Sequence, residues 1–198
     1  VANDVEEVIE GKGFDSTQVR RQGFVVDQPN GERGSVRAIV PADADGFSRL
    51  YHVNPVSGGE LDLAGEGAWV SQAYAEHQGA KVGDTIRVDA GDGVRHDVTI
   101  LGFYEFWLTH QEMVMGREFY EREFEADFVP NALLVDAGDS AGLSDLSDQL
   151  AGIDGVESVV DDKVKEGVNF KTFSNVSRTV VLIYLVLSIL MAIVVLLN

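Results

Sequence analysis

Polar and apolar positions divide this chain into two unequal parts. From Val180 to Leu197 the sequence VVLIYLVLSILMAIVVLL contains no charge, no proline and no glycine, and only Tyr184 and Ser188 interrupt the apolar run. At about 1.5 Å per helical residue, some twenty such residues cross a hydrocarbon core of about 30 Å. A transmembrane helix is therefore expected over residues 174–198. The alternative, a core helix apolar on every face, asks more enclosure than a domain of this size provides. A signal peptide is excluded by position. The chain begins at Val1 rather than Met and stops at Asn198 without a polar flank, so it reads as a piece of a longer membrane protein.

Upstream, apolar residues come in short periodic groups separated by glycine and acidic turns. Val5, Val8 and Ile9 share a helical face, with Asn3 or Asp4 as cap and Gly11 and Gly13 as stops, predicting a helix through Glu10. Gln18 to Asp27 reads as a strand, Pro29-Asn30-Gly31 as a turn and Ser35 to Val40 as a second strand, so a hairpin is expected. A capped turn then leads into a short Phe47–Tyr51 helix. Asp43, Asp45 and Gly46 invite comparison with a calcium loop, but its first and last ligand positions would fall on Pro41 and His52.

Ala68 to Gln78 predicts a short strand running into a helix, with Ser71 as N-cap and Gly79 as stop. A strand at Thr85–Val88, a Gly91–Gly93 turn and a long strand from Arg95 to Trp107 follow. Within the last, His96, Val98 and Ile100 alternate with Asp97, Thr99 and Leu101, as in a sheet with at least one buried face. Phe103, Tyr104, Phe106 and Trp107 form a dense aromatic group that reads as core or sheet-edge packing rather than a ligand platform. Arg117–Asp127 suits a helix or helical turn closed by Pro130. A strand at Asn131–Val135, a helix capped by Ser140 or Ser144 and ending at Leu150, and a strand at Val156–Val160 predict a compact β-α-β unit. A polar connection, Lys163 to Ser177, leads to the apolar run.

Charge narrows the partners. Against 15 Lys and Arg stand 33 Asp and Glu, a formal net charge of −18. Such a surface repels nucleic acid and anionic headgroups. Without cysteine there are no disulfides, zinc-thiolate sites or cysteine nucleophiles. His52, His77, His96 and His110 lie on unrelated elements and lack the near neighbours of a metal-binding face. Carboxylates are too abundant for an acid–base pair to stand out. Nucleophile-elbow, zinc-protease and phosphate-loop motifs are missing, and a strand rather than a helix follows Gly91-Asp92-Gly93. No catalytic, cofactor-binding or metal-ligating residue is assigned, and the chain reads as non-enzymatic.

An ordered series of motifs spans most of the chain. GAWVSQAYAEHQGAKVGDTIRV (67–88) is followed by VTILGFYE (98–105), and VRAIVPADADGFSRLYHV with Gly58-Gly59 precedes it. NALLVDAGD, the Leu143–Leu150 helix, GVESVV and the apolar run come after. This series resembles the extracytoplasmic domain of FtsX-like and MacB-like ABC transporter permeases. The resemblance implies an α+β domain over residues 1–173, inserted between the first two membrane helices. It implies a β-α-β, porter-like layer near the membrane, residues 1–30 with 130–165, and a mainly β outer lobe at 31–115. It further implies a dimeric permease in the lipid bilayer of a bacterial cell membrane, driven by a separate cytoplasmic ATPase. Such systems extrude substrates or transmit motion to an extracellular accessory protein or peptide, and need no cofactor or catalytic residue in this domain. Lys163, Lys165, Lys171 and Arg178 on the domain side of the apolar run point the other way under positive-inside counting. The alternative reading is a membrane-anchored binding module that captures a peptide or cell-envelope ligand through its aromatic group.

Overall fold

A computed structural model describes residues 2–27, 33–51, 53–105, 112–136 and 140–159. Along the chain run α1 (Ala2–Gly11), β1 (Asp15–Asp27), β2 (Arg33–Pro41), α2 (Ala44–Leu50), β3 (Asn54–Ser57), β4 (Ala68–Ser71) and α3 (Gln72–Gln78). Then come β5 (Thr85–Asp89), β6 (His96–Glu105), β7 (Glu112–Met115), α4 (Arg117–Glu123), β8 (Ala132–Asp136) and α5 (Ser140–Ala151).

The expected hairpin forms: β1 and β2 run antiparallel from Val19 opposite Pro41 to Asp27 opposite Arg33. β7 adds parallel to β2, β4 lies antiparallel to β7 and parallel to β6, and β5 pairs antiparallel with β6. β5 then returns to β1 through Val25 opposite Asp89 and Val26 opposite Val88. The hydrogen-bonded path thus closes into a ring of β1, β2, β7, β4, β6 and β5. β8 pairs with the start of β1, and β3 with the end of β6.

Side-chain alternation divides the apolar residues between the two faces of this ring. Phe24, Val26, Val36, Ala38, Val40, Ala68, Val70, Val88, Val98, Ile100, Met113 and Met115 pack together with Tyr74 of α3 and Phe119 and Tyr120 of α4. The intervening residues Val19, Ile39, Trp69 and Val114 form a second cluster, covered by Phe47 of α2 and by Leu63. A third cluster joins Val5 and Ile9 of α1 to Leu146 and Leu150 of α5 over Leu133 and Val135 of β8. One extra residue in β6, opposite the Ala68–Trp69 step, shifts the alternation, so that Phe103 packs with the first cluster and Tyr104 with the second. Gly102 sits at that shift because an added Cβ would lie 2.3 Å from the Trp69 ring and 2.5 Å from the Ser57 carbonyl.

The capping chemistry acts where the residue types placed it. The Asp43 carboxylate accepts from the Gly46 amide at the start of α2. Ser71 Oγ accepts from the Tyr74 amide at 3.4 Å to start α3, and Gly79 ends α3 at φ 65° in the left-handed region. α2 begins at Ala44 rather than Phe47, as this cap dictates.

Three expectations need correction. β3 and β7 are additional strands. Residues 156–159 carry no strand: Val156 instead packs against the α1–α5 cluster and Glu157 to Val159 are exposed, leaving no apolar face to bury in a sheet. The expected β-α-β unit is therefore only a strand and helix among the described residues. Finally, α4 stops at Glu123 because Phe124 turns into the core as its C-cap. The Pro29–Gly31 turn, Phe106, Trp107, Val160 and the 174–198 helix lie outside the described residues. Among the described residues, no helix is long and apolar enough to cross a membrane.

Candidate functional site

The chemically distinctive point in this fold is a buried carboxylate. β7 is a four-residue strand, every residue of it buried, and it opens with Glu112, which is only 2% exposed. Burying an isolated carboxylate costs several kcal/mol, so partners must be supplied. The parallel register places Glu112 opposite Arg37 of β2, whose Nη1 donates to Glu112 Oε1 at 3.3 Å. Arg21 of β1 brings Nη2 to 4.0 Å of the same oxygen. Tyr51, the C-cap of α2, donates its phenol to Oε2 at 3.1 Å. Ser71 Oγ accepts from the Glu112 amide at 3.4 Å, so the residue that caps α3 also holds the start of β7.

The electrostatics follow from this crowding. Burial, then the negative charge of Glu112, pushes the Tyr51 phenol far above its usual range, with Arg21 opposing. Tyr104 is raised for the same two reasons in the same order. Both phenols therefore remain neutral at physiological pH, and Tyr51 donates to Glu112. With Oε1 taken by Arg37 and Oε2 by Tyr51, Glu112 is committed to its neighbours and cannot readily serve as a general base. What the arrangement does is tie β1, β2, β7 and the end of α2 to one anionic point.

Nothing local marks Glu112 among so many carboxylates, apart from its place at the head of the run EMVM. Of the aromatic group, Tyr104 is buried in the second cluster and Phe103 packs on the first, so neither forms an open platform. His96 Nε2 lies 3.3 Å from Asp92, and its ring packs 4.6 Å from that of Phe124. His77 lies in α3, whereas His52 and His110 fall outside the described residues. Among the described residues, no three His, Asp or Glu are grouped to hold a metal ion.

No family model and no curated protein matches this chain in sequence. Its fold does match solved structures. The extracellular domain of the noncanonic ABC-type transporter YknZ from Gram-positive bacteria superposes with a TM-score of 0.50 at 11% identity, covering 73% of this chain and 76% of that one. The periplasmic region of MacB from Actinobacillus actinomycetemcomitans gives 0.47 at 9% identity, covering 78% and 75%. The chain thus shares a mixed α/β fold with the YknZ domain.

Proposed function

We propose that this chain is the extracytoplasmic domain of an ABC transporter permease, continued by a membrane helix at residues 174–198. The likeness of its fold to the extracellular domain of YknZ carries this reading. On it, the domain performs no chemistry. A cytoplasmic ATPase drives a permease dimer in the cell membrane, and this domain carries the motion outward, for export or to an extracellular accessory protein or peptide.

In the same reading, residues 1–30 and 130–165 form a layer beside the membrane and 31–115 an outer lobe. The α1–α5 cluster over β8 supports such a division, since its members all come from 1–30 and 130–165, while Ala132 and Leu134 of β8 pack with Ile39 and Trp69 and so join the two parts. β1, within the layer beside the membrane, also reaches the outer lobe. It pairs with β8 over residues 15–19 and with β5 at Val25 and Val26, so a tilt of the inner layer passes directly into the ring. Glu112 and its partners then serve to keep the ring rigid under that load. The aromatic binding-module reading loses support from the burial of Tyr104 and the packing of half-buried Phe103 against the first cluster.

The topology is directly testable because the chain has no cysteine. Val94 is 53% exposed, so Val94→Cys gives a single accessible thiol. A membrane-impermeant maleimide should label it in intact cells. Labelling only after permeabilisation would place the domain inside and sink the proposal.

A further inference from the structure

The outward face of β1, β2 and β5 has a composition unlike the rest of the surface. Alternation puts Arg21, Gly23, Val25 and Asp27 of β1 opposite Ile39, Arg37, Ser35 and Arg33 of β2. Gly23, Val25 and Ser35 are exposed, so small residues floor the middle of the face. Arg87 of β5 and Arg95 before β6 border it, and a shallow depression is lined by Val25, Arg33, Arg87 and Arg95 together with Asp27 and Asp89. Five of the chain's 15 cations, at positions 21, 33, 37, 87 and 95, thus gather in a protein of net charge −18.

Their charge is only partly answered. Asp27 is shared by Arg95 at 3.1 Å and Arg33 at 3.7 Å, Glu112 is shared by Arg37 and Arg21, and Arg87 lies 3.5 Å from Asp97. The Asp89 carboxylate accepts from the amides of Gly91 and Gly93. Each guanidinium has five N–H donors, so single contacts leave several turned to water. Arg33, Arg37, Arg87 and Arg95 are each at least half exposed. Arg33 and Arg37 stand about 13 Å apart along β2, spanning the small-residue floor.

We propose that this face is a docking surface for an acidic segment of a partner protein. Guanidinium forks match carboxylates, and arginines around a partly apolar floor are the composition of a protein interface. An extended polyanion such as a nucleic acid or an anionic bilayer would also meet the strongly acidic remainder of the molecule, whereas a short acidic segment touches only this face.

The test uses the full 198-residue chain in non-ionic detergent. The probe is a short fluorescein-labelled peptide of alternating glutamate and valine, followed by anisotropy. Binding should weaken about tenfold in the double variant Arg33→Glu/Arg87→Glu and less in Arg33→Gln/Arg87→Gln, with Lys81→Glu like the parent. The Gln pair, which introduces no repulsion, guards against loss of fold. No peptide binding, or equal loss in Lys81→Glu, overturns the proposal. So does arginine-dependent binding to phosphatidylglycerol vesicles without peptide binding, which would assign the face to lipid. An arginine-dependent dimer in sedimentation that excludes the peptide would assign it to a second copy.

Discussion

At the scale of single residues, Glu112 concentrates the consequences. It is the one fully buried acid among the described core residues, and it holds partners from β1, β2 and α2. Glu112→Ala leaves the Tyr51 phenol buried without this acceptor and two arginines without their counter-charge. Since Arg21 and Arg37 are 33% and 50% exposed, water recovers part of the loss. A destabilisation of about 3 kcal/mol is expected, toward the lower end for a broken buried pair. Glu112→Gln keeps an acceptor for Tyr51 and should cost about 1 to 2 kcal/mol. Urea unfolding measures both, and equal costs would show that charge is irrelevant at this position.

Among the elements, β1 has the most demanding role. Its edge away from β2 is shared by β8 over residues 15–19 and by β5 at Val25 and Val26. Continuing the β8 register would set Pro130 opposite Arg21, and proline has no N–H to donate. The Asn131 side chain fills the place: Oδ1 accepts from the Arg21 amide at 2.7 Å and Nδ2 donates to the Arg21 carbonyl at 2.8 Å. Farther along, Gln22 Nε2 donates to the Ala90 carbonyl, while Gln22 Oε1 accepts from Tyr120 at 3.1 Å. Side-chain amides thus bridge the stretch of this edge that lies between β8 and β5. Asn131→Ala should cost about 1 to 2 kcal/mol and speed hydrogen exchange at the Arg21 amide. Unchanged protection at that amide would assign the bridge no role.

For the whole molecule, the buried phenols set a limit on alkaline stability. Burial pushes Tyr74 up to about 12, and burial followed by the charge of Glu112 raises Tyr51 and Tyr104 as well. A raised folded-state pKa means that the unfolded chain releases its protons first, from the ordinary phenol value near 10 upward. The folded state then holds more protons, so stability is intact below about pH 10 and falls as pH rises beyond it. Phenolate absorbance from these tyrosines should appear together with loss of far-ultraviolet circular dichroism. Their titration in an intact fold would contradict the burial that joins α2, α3 and β6 to the core.

Much of this was legible in local chemistry. Alternation fixed the strands of the hairpin and of β6, helical spacing fixed α1 and α5, and Asp43, Ser71 and Gly79 marked the ends of α2 and α3. These features depend on a residue's own backbone and its near neighbours along the chain. The ordered motifs also pointed to the fold that the YknZ domain shares. β3 and β7 escaped because a four-residue strand shows too little period to recognise and draws its stability from cross-strand neighbours. β3 carries Pro55 and exposed residues, and β7 opens with a carboxylate, so each breaks the expected pattern. Conversely, Val156–Val160 had strand-forming residues, but Val156 was taken up by the helical cluster. The ring closure, the partners of Glu112 and the arginine face all join residues distant in sequence. Composition and local pattern determined most of the longer elements and the acidic character of the chain. Only the tertiary structure decided which charges met, because sheet register alone brings Glu112 to Arg37 and Arg33 beside Asp27.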